Sequence, residues 1–474
     1  MKTDTIAAIA TAVSDAGIGI IRVSGKESIS IVHKIFRNKN QKDVLKQYQS
    51  HTIHYGFIVM ENGDILDEVM VSVMKAPNSY TMEDTVEINC HGGVLMMKKI
   101  LMEVIHAGAR MAEPGEFTKR AFLNGRIDLS RAEAVMDLIH AKNEFALKTS
   151  VRQLKGSVSE KVKMLRDQIL YETAFIESAL DDPEHISLEG YEEKLSKKAD
   201  TIEKELCRLL ASADDGRILK EGIRTVILGK PNVGKSSLLN LFMGHDRAIV
   251  TDIAGTTRDT LEETVRFGNI TLNMIDTAGI RNTEDAVEKI GVKKAVEISE
   301  DADLILYVID SSEALDENDE VILKLTEGKK TIVLLNKSDL REVTDEKKIE
   351  ELYQKVFNNS GQSGEKADSI SLLRISAKEK EGLDALKTLI EDYFFHGKIN
   401  FDEELYITNI RHKEAICEAV ESIRQVKKSL ENHMPEDFYS IDLMSAYASL
   451  GKILGEEVEE DLVDKIFSEF CMGK

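Results

Sequence analysis

The segment Gly229-Lys-Pro-Asn-Val-Gly234-Lys235-Ser236 constrains this chain most, because it directly follows the apolar run Thr225–Leu228 and opens the amphipathic stretch Ser237–Phe242. A glycine-rich turn between a strand and a helix N-terminus aims several backbone N–H groups at one point, which suits a β-phosphate. Asn232, Val233, Gly234, Lys235, Ser236 and Ser237 form the predicted cradle, with Lys235 bridging β and γ oxygens and Ser236 binding Mg²⁺. An ordinary glycine-rich turn would leave Lys235 without a role. Such a loop needs a sheet, and the apolar runs Leu272–Ile275, Leu304–Ile309, Thr331–Leu335 and Ser369–Ile375 supply its strands. Their alternation with helical stretches predicts a largely parallel sheet with helices on both faces.

Three further motifs stand at the ends of these strands. Asp276-Thr277-Ala278-Gly279 offers a carboxylate that can hold the metal through water and a glycine N–H for a γ-phosphate. Asn336-Lys337-Ser338-Asp339 selects the base: the Asp339 carboxylate can accept from N1–H and the amino group of guanine, a donor pair that adenine lacks. Ser376-Ala377-Lys378 supplies a backbone N–H for the guanine oxygen. Alone each motif says little; four in this order, each at the C-terminal end of a strand, specify a GTP-binding domain. Between the first two lies Thr251-Asp-Ile-Ala-Gly-Thr256-Thr257-Arg-Asp259, a polar stretch suited to closing over a γ-phosphate. Thr257 is the candidate second Mg²⁺ ligand, although Thr256 and Thr257 could simply begin the strand Leu261–Phe267. Ile280 follows Gly279 where Ras-like enzymes carry a water-orienting Gln, so the attacking water must be positioned some other way.

The remainder of the 474 residues frames this domain and amounts to about three domains' worth in all. Strand-like runs at Ile18–Val23 and Val69–Val73, with helical spacing over Val94–Val104, predict an α/β domain over 1–118. Apolar residues three and four apart, such as Ala132, Val135, Met136 and Ile139 and later Leu206, Leu209 and Leu210, predict a helical bundle over 119–219. A Ras-like P-loop domain is expected over 220–395, inserted into a loop of the helical domain, whose second part spans 396–474. The ends of an inserted domain must lie close together. Gly361–Asp368 reads as an exposed loop. The fold class is thus multidomain, α/β plus all-α.

With 62 Lys+Arg against 84 Asp+Glu the net charge is −22, which counts against this chain gripping nucleic acid unaided. No window approaches the ~18 apolar residues of a membrane span, and no signal peptide is visible, so a cytoplasmic protein without membrane partners is expected. Cys90, Cys207, Cys417 and Cys471 form no CxxC pair and signal neither zinc nor a disulfide framework. His91, in Asn89-Cys90-His91-Gly92-Gly93, reads as a packing or loop residue rather than a catalyst. Cys471 follows the amphipathic stretch Leu462–Phe470. Its thiol could act as nucleophile or proton donor if a neighbour such as Lys474 lowers its pKa, or it could simply pack. The Met-Gly-Lys that follows does not fit a prenylation box.

Gly229 to Ser237, Asp252-Ile-Ala-Gly-Thr-Thr-Arg-Asp259, Pro114-Gly-Glu-Phe-Thr118 with Arg120-Ala-Phe-Leu-Asn124, and Cys471-Met-Gly-Lys474 together resemble the tRNA-uridine modification GTPase family, MnmE or TrmE. The resemblance spans essentially the whole chain; Met472 stands where an aliphatic residue is usual. It implies a GTPase stimulated by potassium and lacking an arginine finger. K⁺ would be held by Asn232, the Thr256 side chain and carbonyls near Thr251 and Ile253, supplying the charge an inserted arginine supplies elsewhere. The water-orienting acid falls at Glu288, which would otherwise read as an exposed helix residue. The N-terminal domain would hold a homodimer together and bind a tetrahydrofolate derivative (5-formyl or 5,10-methylene) through Arg22, Glu87, Arg126 and Lys474. Arg126 replaces a frequent lysine, keeping the charge but not the geometry.

The resemblance further implies a heterotetramer with an FAD-binding partner of the GidA (MnmG) type. Together they would install an aminomethyl or carboxymethylaminomethyl group on C5 of the wobble uridine of certain tRNAs, with tRNA held mainly through the complex. One rival is a ribosome-assembly GTPase switch; the 9 Lys+Arg against 17 Asp+Glu of Phe395–Lys474 oppose the basic RNA-binding module it would need. Another is a folate enzyme that its G domain only regulates. The charge balance yields a first prediction. Alone, this chain should bind tRNA weakly and almost independently of salt, whereas the complex should bind with a steep salt slope in filter-binding assays.

Overall fold

The computed structural model describes residues 4–38, 48–245, 263–267, 270–275, 299, 301–358, 370–395, 405–456, 458, 460–468, 470 and 473. They form two units: Met1–Ile139 with Val151–Glu203 and Glu418–Lys474, and His140–Ser150 with Lys204–Cys417.

The first unit opens with β1 (Ile6–Ile9), β2 (Ala16–Ser24), α1 (Ser28–Ile35), β3 (Phe36–Asn38), β4 (Thr52–Val59), β5 (Ile65–Met74), β6 (Thr85–Gly92), α2 (Val94–His106) and β7 (Arg110–Met111). Period-two alternation makes the strands: along β5, Val69, Val71 and Val73 are buried while Glu68 and Met70 face solvent. The sheet runs β3-β4-β5-β6-β2-β1-β7 and is antiparallel except where β1 meets β7. One face packs Ile21, Val23, Val71, Val86 and Ile88 on Val32 of α1 and on Met97, Ile100 and Val104 of α2. Each such side chain contributes about 1.5–3 kcal/mol when fully buried. The β2–β6 register sets Arg22 opposite Glu87. Helices α3 (Glu116–Leu123), α4 (Leu129–Ile139), α5 (Glu144–Lys155), α6 (Ser157–Asp181) and α7 (Tyr191–Glu221) follow.

The second unit is built on β8 (Ile223–Leu228), α8 (Lys235–His245), β9 (Glu263–Phe267), β10 (Ile270–Met274), β11 (Leu304–Asp310), α9 (Glu317–Lys324), β12 (Thr331–Asn336), α10 (Glu346–Asn358), β13 (Ser371–Arg374) and α11 (Leu383–Phe395). Its sheet runs β13-β12-β11-β8-β10-β9, parallel except for the β10–β9 hairpin. Both faces are covered, which explains the unbroken apolar runs. Leu304, Leu306 and Val308 of β11 join the core of α8 and α11 with Leu238, Phe242, Leu386 and Ile390. Tyr307 and Ile309 point the other way, onto Leu323 of α9 and Ile349 of α10. Asn143 and Phe145 of the α5 region belong to this unit. The Asn143 amide donates to the Leu219 carbonyl and Thr271 Oγ1, and Phe145 packs edge-on against Tyr406.

The chain closes with α12 (Ile410–Glu431), α13 (Glu436–Leu454) and α14 (Glu460–Ser468). Within the first unit α13 runs against α6, and Val463 and Phe467 of α14 pack on Leu129 and Ala132 of α4. Two close approaches need glycine: a Cβ on Gly115 (φ 68°) would lie 2.3 Å from the Phe467 carbonyl oxygen, and one on Gly473 (φ 90°) 2.4 Å from that of Ile9. Gly473 is thereby seated on the end of β1. Among the described residues no helix is long and apolar enough to cross a membrane. In the second unit α7 and the returning strand of chain at Ile407 run side by side, since a Cβ on Gly216 would meet the Ile407 carbonyl oxygen at 2.2 Å. Gly216→Ala should therefore cost about 1–3 kcal/mol in thermal unfolding, despite its better helix propensity.

Candidate functional site

β8 delivers the chain into the phosphate loop. Gly229 (φ 149°) passes so close to β11 that a Cβ would lie 2.5 Å from the Val308 carbonyl oxygen. Asn232 adopts the left-handed region at φ 64°, and Gly234 (φ 101°) leaves room for the Asn336 amide, which a Cβ would meet at 2.2 Å. Lys235 begins α8, and its ammonium donates to the carbonyls of Gly229 (2.7 Å) and Lys230 (2.6 Å). Burial pulls this ammonium down to about 8, and it has no carboxylate partner among the described residues. Ser236 and Ser237 follow, exposed, on the first turn of α8.

The base-reading residues join the loop through Asn336, at the end of β12. Its Nδ2 donates to the Val233 carbonyl at 2.8 Å, and its Oδ1 accepts from the Ala377 backbone N–H at 3.0 Å. One buried amide thus ties the phosphate loop to the turn after β13. Asp339 Oδ1 accepts from Ser376 Oγ at 2.7 Å, and that hydrogen bond, with the Lys378 and Lys337 cations, holds the carboxyl below its usual range. Lys378 is exposed, its Nζ 4.0 Å from Asp339 Oδ2. Ser338 donates its backbone N–H to the Ile375 carbonyl. Lys337 (φ 62°) reaches Asp310, the last residue of β11, at 2.5 Å. Burial raises the Asp310 carboxyl, but hydrogen bonds from Lys337 and Ser312 outweigh it and keep the group ionised below the ordinary carboxylate range. Asp310 was missed by sequence reasoning, although an acid one position beyond the apolar run Leu304–Ile309 is a usable signal. Thr251, Ile253, Thr256, Thr257, Asp276, Thr277, Ala278, Gly279, Glu288, Cys471, Lys474 and the loop Gly361–Asp368 lie outside the described residues.

A second cluster forms in the N-terminal sheet. Arg22 Nε pairs with Glu87 at 2.8 Å and its NH1 donates to the Gly473 carbonyl at 3.1 Å. The Arg22 guanidinium lies over the rings of Tyr80 (5.4 Å) and Phe117 (5.6 Å), and Arg126 over Tyr80 at 4.8 Å. Arg126 also donates to the Tyr80 carbonyl, while the Tyr80 hydroxyl bonds Thr118. Three of the four residues expected to act together are therefore neighbours, gathered by an aromatic ring that no local sequence pattern announces. His91 differs from its sequence reading: it lies on β6, not in a loop, and does not pack, its ring being 71% exposed. Its Nδ1 stands 2.7 Å from buried Asp67 of β5, a hydrogen bond that raises its pKa. A cross-strand partner is invisible to a linear scan. A cavity of about 590 Å³ beside Lys34, Arg37 and His106 is a weaker site, because Lys34 donates to the Ala107 carbonyl and Arg37 to the Lys34 and Phe36 carbonyls.

A mainly parallel sheet with a phosphate loop after β8 and the Asn336–Asp339 motif after β12 defines a P-loop GTPase domain. Residues 5–126 match the family model described as GTP-binding protein TrmE N-terminus, and residues 129–471 match the MnmE helical domain. The tRNA modification GTPase MnmE of Lachnoclostridium phytofermentans is 57% identical over 474 residues, covering 100% of both chains. Those of Clostridioides difficile and Alkaliphilus oremlandii are 48% and 46% identical, each covering 99% of both chains. The chain belongs to the MnmE family of tRNA modification GTPases.

The depressed Lys235 pKa gives this site a pH signature. Phosphate favours the charged ammonium, so binding takes up a proton wherever free Lys235 is partly neutral, and affinity must fall as pH rises through about 8. GDP titrated calorimetrically at about pH 8.5 in buffers of different ionisation enthalpy should show net uptake of up to about three-quarters of a proton. The log of the association constant should drop by at most about one per pH unit.

Proposed function

We propose that this chain is a potassium-stimulated GTP hydrolase that acts in the cytoplasm on tRNA. As a homodimer joined to an FAD-dependent partner of the GidA (MnmG) type in a heterotetramer, it adds an aminomethyl or carboxymethylaminomethyl group to C5 of the wobble uridine. One observation carries the nucleotide half: Asn336 bonds both Val233 and Ala377, so the phosphate-binding and base-reading segments form one site. The tRNA half rests on full-length similarity to proteins named tRNA modification GTPases. The domain plan of 1–118, 119–219, 220–395 and 396–474 is proposed on the same footing.

Within this reading Asp339 accepts from the guanine N1–H and amino group, and Ser376, Ala377 and Lys378 close over its oxygen. Lys235 leaves its two carbonyl acceptors for the β and γ oxygens. Ser236 and Thr257 would hold Mg²⁺, and Asp276, Thr277, Ala278 and Gly279 would face the γ-phosphate. Asn232, exposed and left-handed in the loop, offers a hard amide oxygen that suits a second, monovalent ion; the Thr256 side chain and carbonyls near Thr251 and Ile253 would be the other donors. Both ions, when bound, supply positive charge against the transferring phosphoryl group. Glu288 would orient the attacking water.

The N-terminal cluster fits a tetrahydrofolate derivative. Glu87 can accept from pterin N–H groups, Arg22 and Arg126 can meet its oxygens, and Tyr80 offers an aromatic face. Gly473 bonds Arg22, and on that footing Lys474 is proposed as a further ligand and Cys471 as a reactive thiol. Exposed Ile53, Tyr55 and Met70 on the outer face of the sheet support a homodimer through this domain.

Two measurements test the reading. GTP turnover should be faster in KCl than in NaCl at equal ionic strength, and Asn232→Ala should abolish the difference; equal wild-type rates would remove potassium from the mechanism. Mass analysis of tRNA from a strain lacking the protein should show unmodified wobble uridine, and a normal profile would defeat the assignment.

A further inference from the structure

The phosphate loop contains two lysines that the fold treats in opposite ways. Lys235 keeps its charge available, bonded only to carbonyls among the described residues. Lys230 is neutralised: its ammonium, 13% exposed, lies 3.0 Å from Asp316 and 2.8 Å from Asp319, at the N-terminus of α9. Asp319 is almost fully buried and its carboxylate is saturated. Oδ1 accepts from the Tyr307 hydroxyl at 2.7 Å, while Oδ2 accepts from Lys230 and from the Asp316 backbone N–H at 2.8 Å. A buried carboxylate so committed makes a stiff anchor, because any displacement leaves it unpaired.

The anchor reaches the reacting end of the site through the main chain. Tyr307 pairs with Leu228 in the sheet, and Val308 meets Gly229, so the first residues of the loop are seated on β11. The Lys230 side chain then fixes the next peptide. The carbonyls of Gly229 and Lys230 are the two acceptors of Lys235 Nζ. Tyr307, Asp319, Lys230 and Lys235 therefore form one continuous chain of contacts, in which only the last has been given a role toward nucleotide.

We propose that Lys230 is a positioning residue for GTP hydrolysis: clamped by Asp319, which Tyr307 holds, it keeps the first turn of the phosphate loop where Lys235 can reach the γ-phosphate. The inference rests on the chain being a GTP hydrolase. It adds three residues, Lys230, Asp319 and Tyr307, that neither contact the base nor carry the charge Lys235 uses. Because misplacement of about 1 Å can cost up to 100-fold in rate, the clamp acts on turnover more than on binding.

Steady-state GTP hydrolysis by the full-length protein, with GDP affinity and thermal unfolding measured alongside, tests this. Lys230→Met, which keeps chain length without charge, should lower kcat about tenfold or more with KM and GDP affinity changed less than about threefold. Lys230→Arg, which can still meet two carboxylates, should recover kcat to within about twofold. Tyr307→Phe removes only the hydroxyl and should lower kcat about two- to fivefold; it decides the matter if Lys230→Met does not fold. Unchanged kcat in the folded variants, or losses confined to KM or thermal stability, would overturn the clamp. A wild-type chain that does not hydrolyse GTP would overturn the enzymatic reading as well, so the two failures are distinguishable.

Discussion

Parallel pairing of β8, β11, β12 and β13 is the constraint on which the nucleotide edge depends. Strands that run the same way end on the same side, so Gly229, Asp310, Asn336 and Ser376, far apart in sequence, arrive at one edge without any of them having to find another. Parallel strands need covering on both faces, and α8 and α11 on one side with α9 and α10 on the other provide it. Ligands of such sheets bind in the crevice outside the carboxyl ends of the strands, which is where these residues lie. Asn336 closes the arrangement, since its amide bonds the phosphate loop and the base-reading turn at once.

This division explains what the sequence could and could not say. The phosphate loop, Asn336–Asp339 and Ser376–Lys378 are local in chain and sit at strand ends, so residue type and spacing carried them. The N-terminal strands were equally legible, because alternation such as Val69, Val71, Val73 is itself the physical cause of a half-buried strand. Asp310 on Lys337, Asp319 on Lys230 and Asp67 on His91 were not legible, since each is an acid brought to its partner by register between different elements. A linear reading sees an exposed acid where the fold has buried the carboxylate against a partner. His91 shows the reverse error: its glycine-flanked setting suggested a loop, but Gly92 is a strand residue paired with Ala16, and the imidazole stands out into solvent.

The N-terminal cluster lies between these extremes. Arg22 and Glu87 each occupy a strand whose register sets them opposite, which no spacing rule reveals, although family resemblance had grouped them. Tyr80 and Phe117 supply what resemblance did not, aromatic faces over which two guanidinium groups lie. Contacts of this kind, with the Arg22–Glu87 ion pair, limit the rotamers of Arg22 and Arg126. The Gly473 carbonyl on Arg22 extends the same logic to the end of the chain, where a glycine is required because the Ile9 carbonyl leaves no room for a Cβ.

Charge gives the last connection. A chain of net charge −22 must still bind a triphosphate, and long-range repulsion is not decisive because exposed charges are screened within about 8–10 Å. What matters is the sign of the groups inside that radius. Among the described residues near the loop, Asp316 and Asp319 are spent on Lys230 and Asp310 on Lys337. Lys235 alone of these lysines is held by neutral carbonyls, and burial has weakened its hold on its proton. Desolvation that costs the free ammonium stability would be relieved if phosphate oxygens replaced the carbonyls, and the strain of burying an uncompensated cation would then become selectivity for an anion. Pairing Lys235 with an acid would remove that strain and leave the backbone N–H groups of the loop as the remaining attraction for a phosphate.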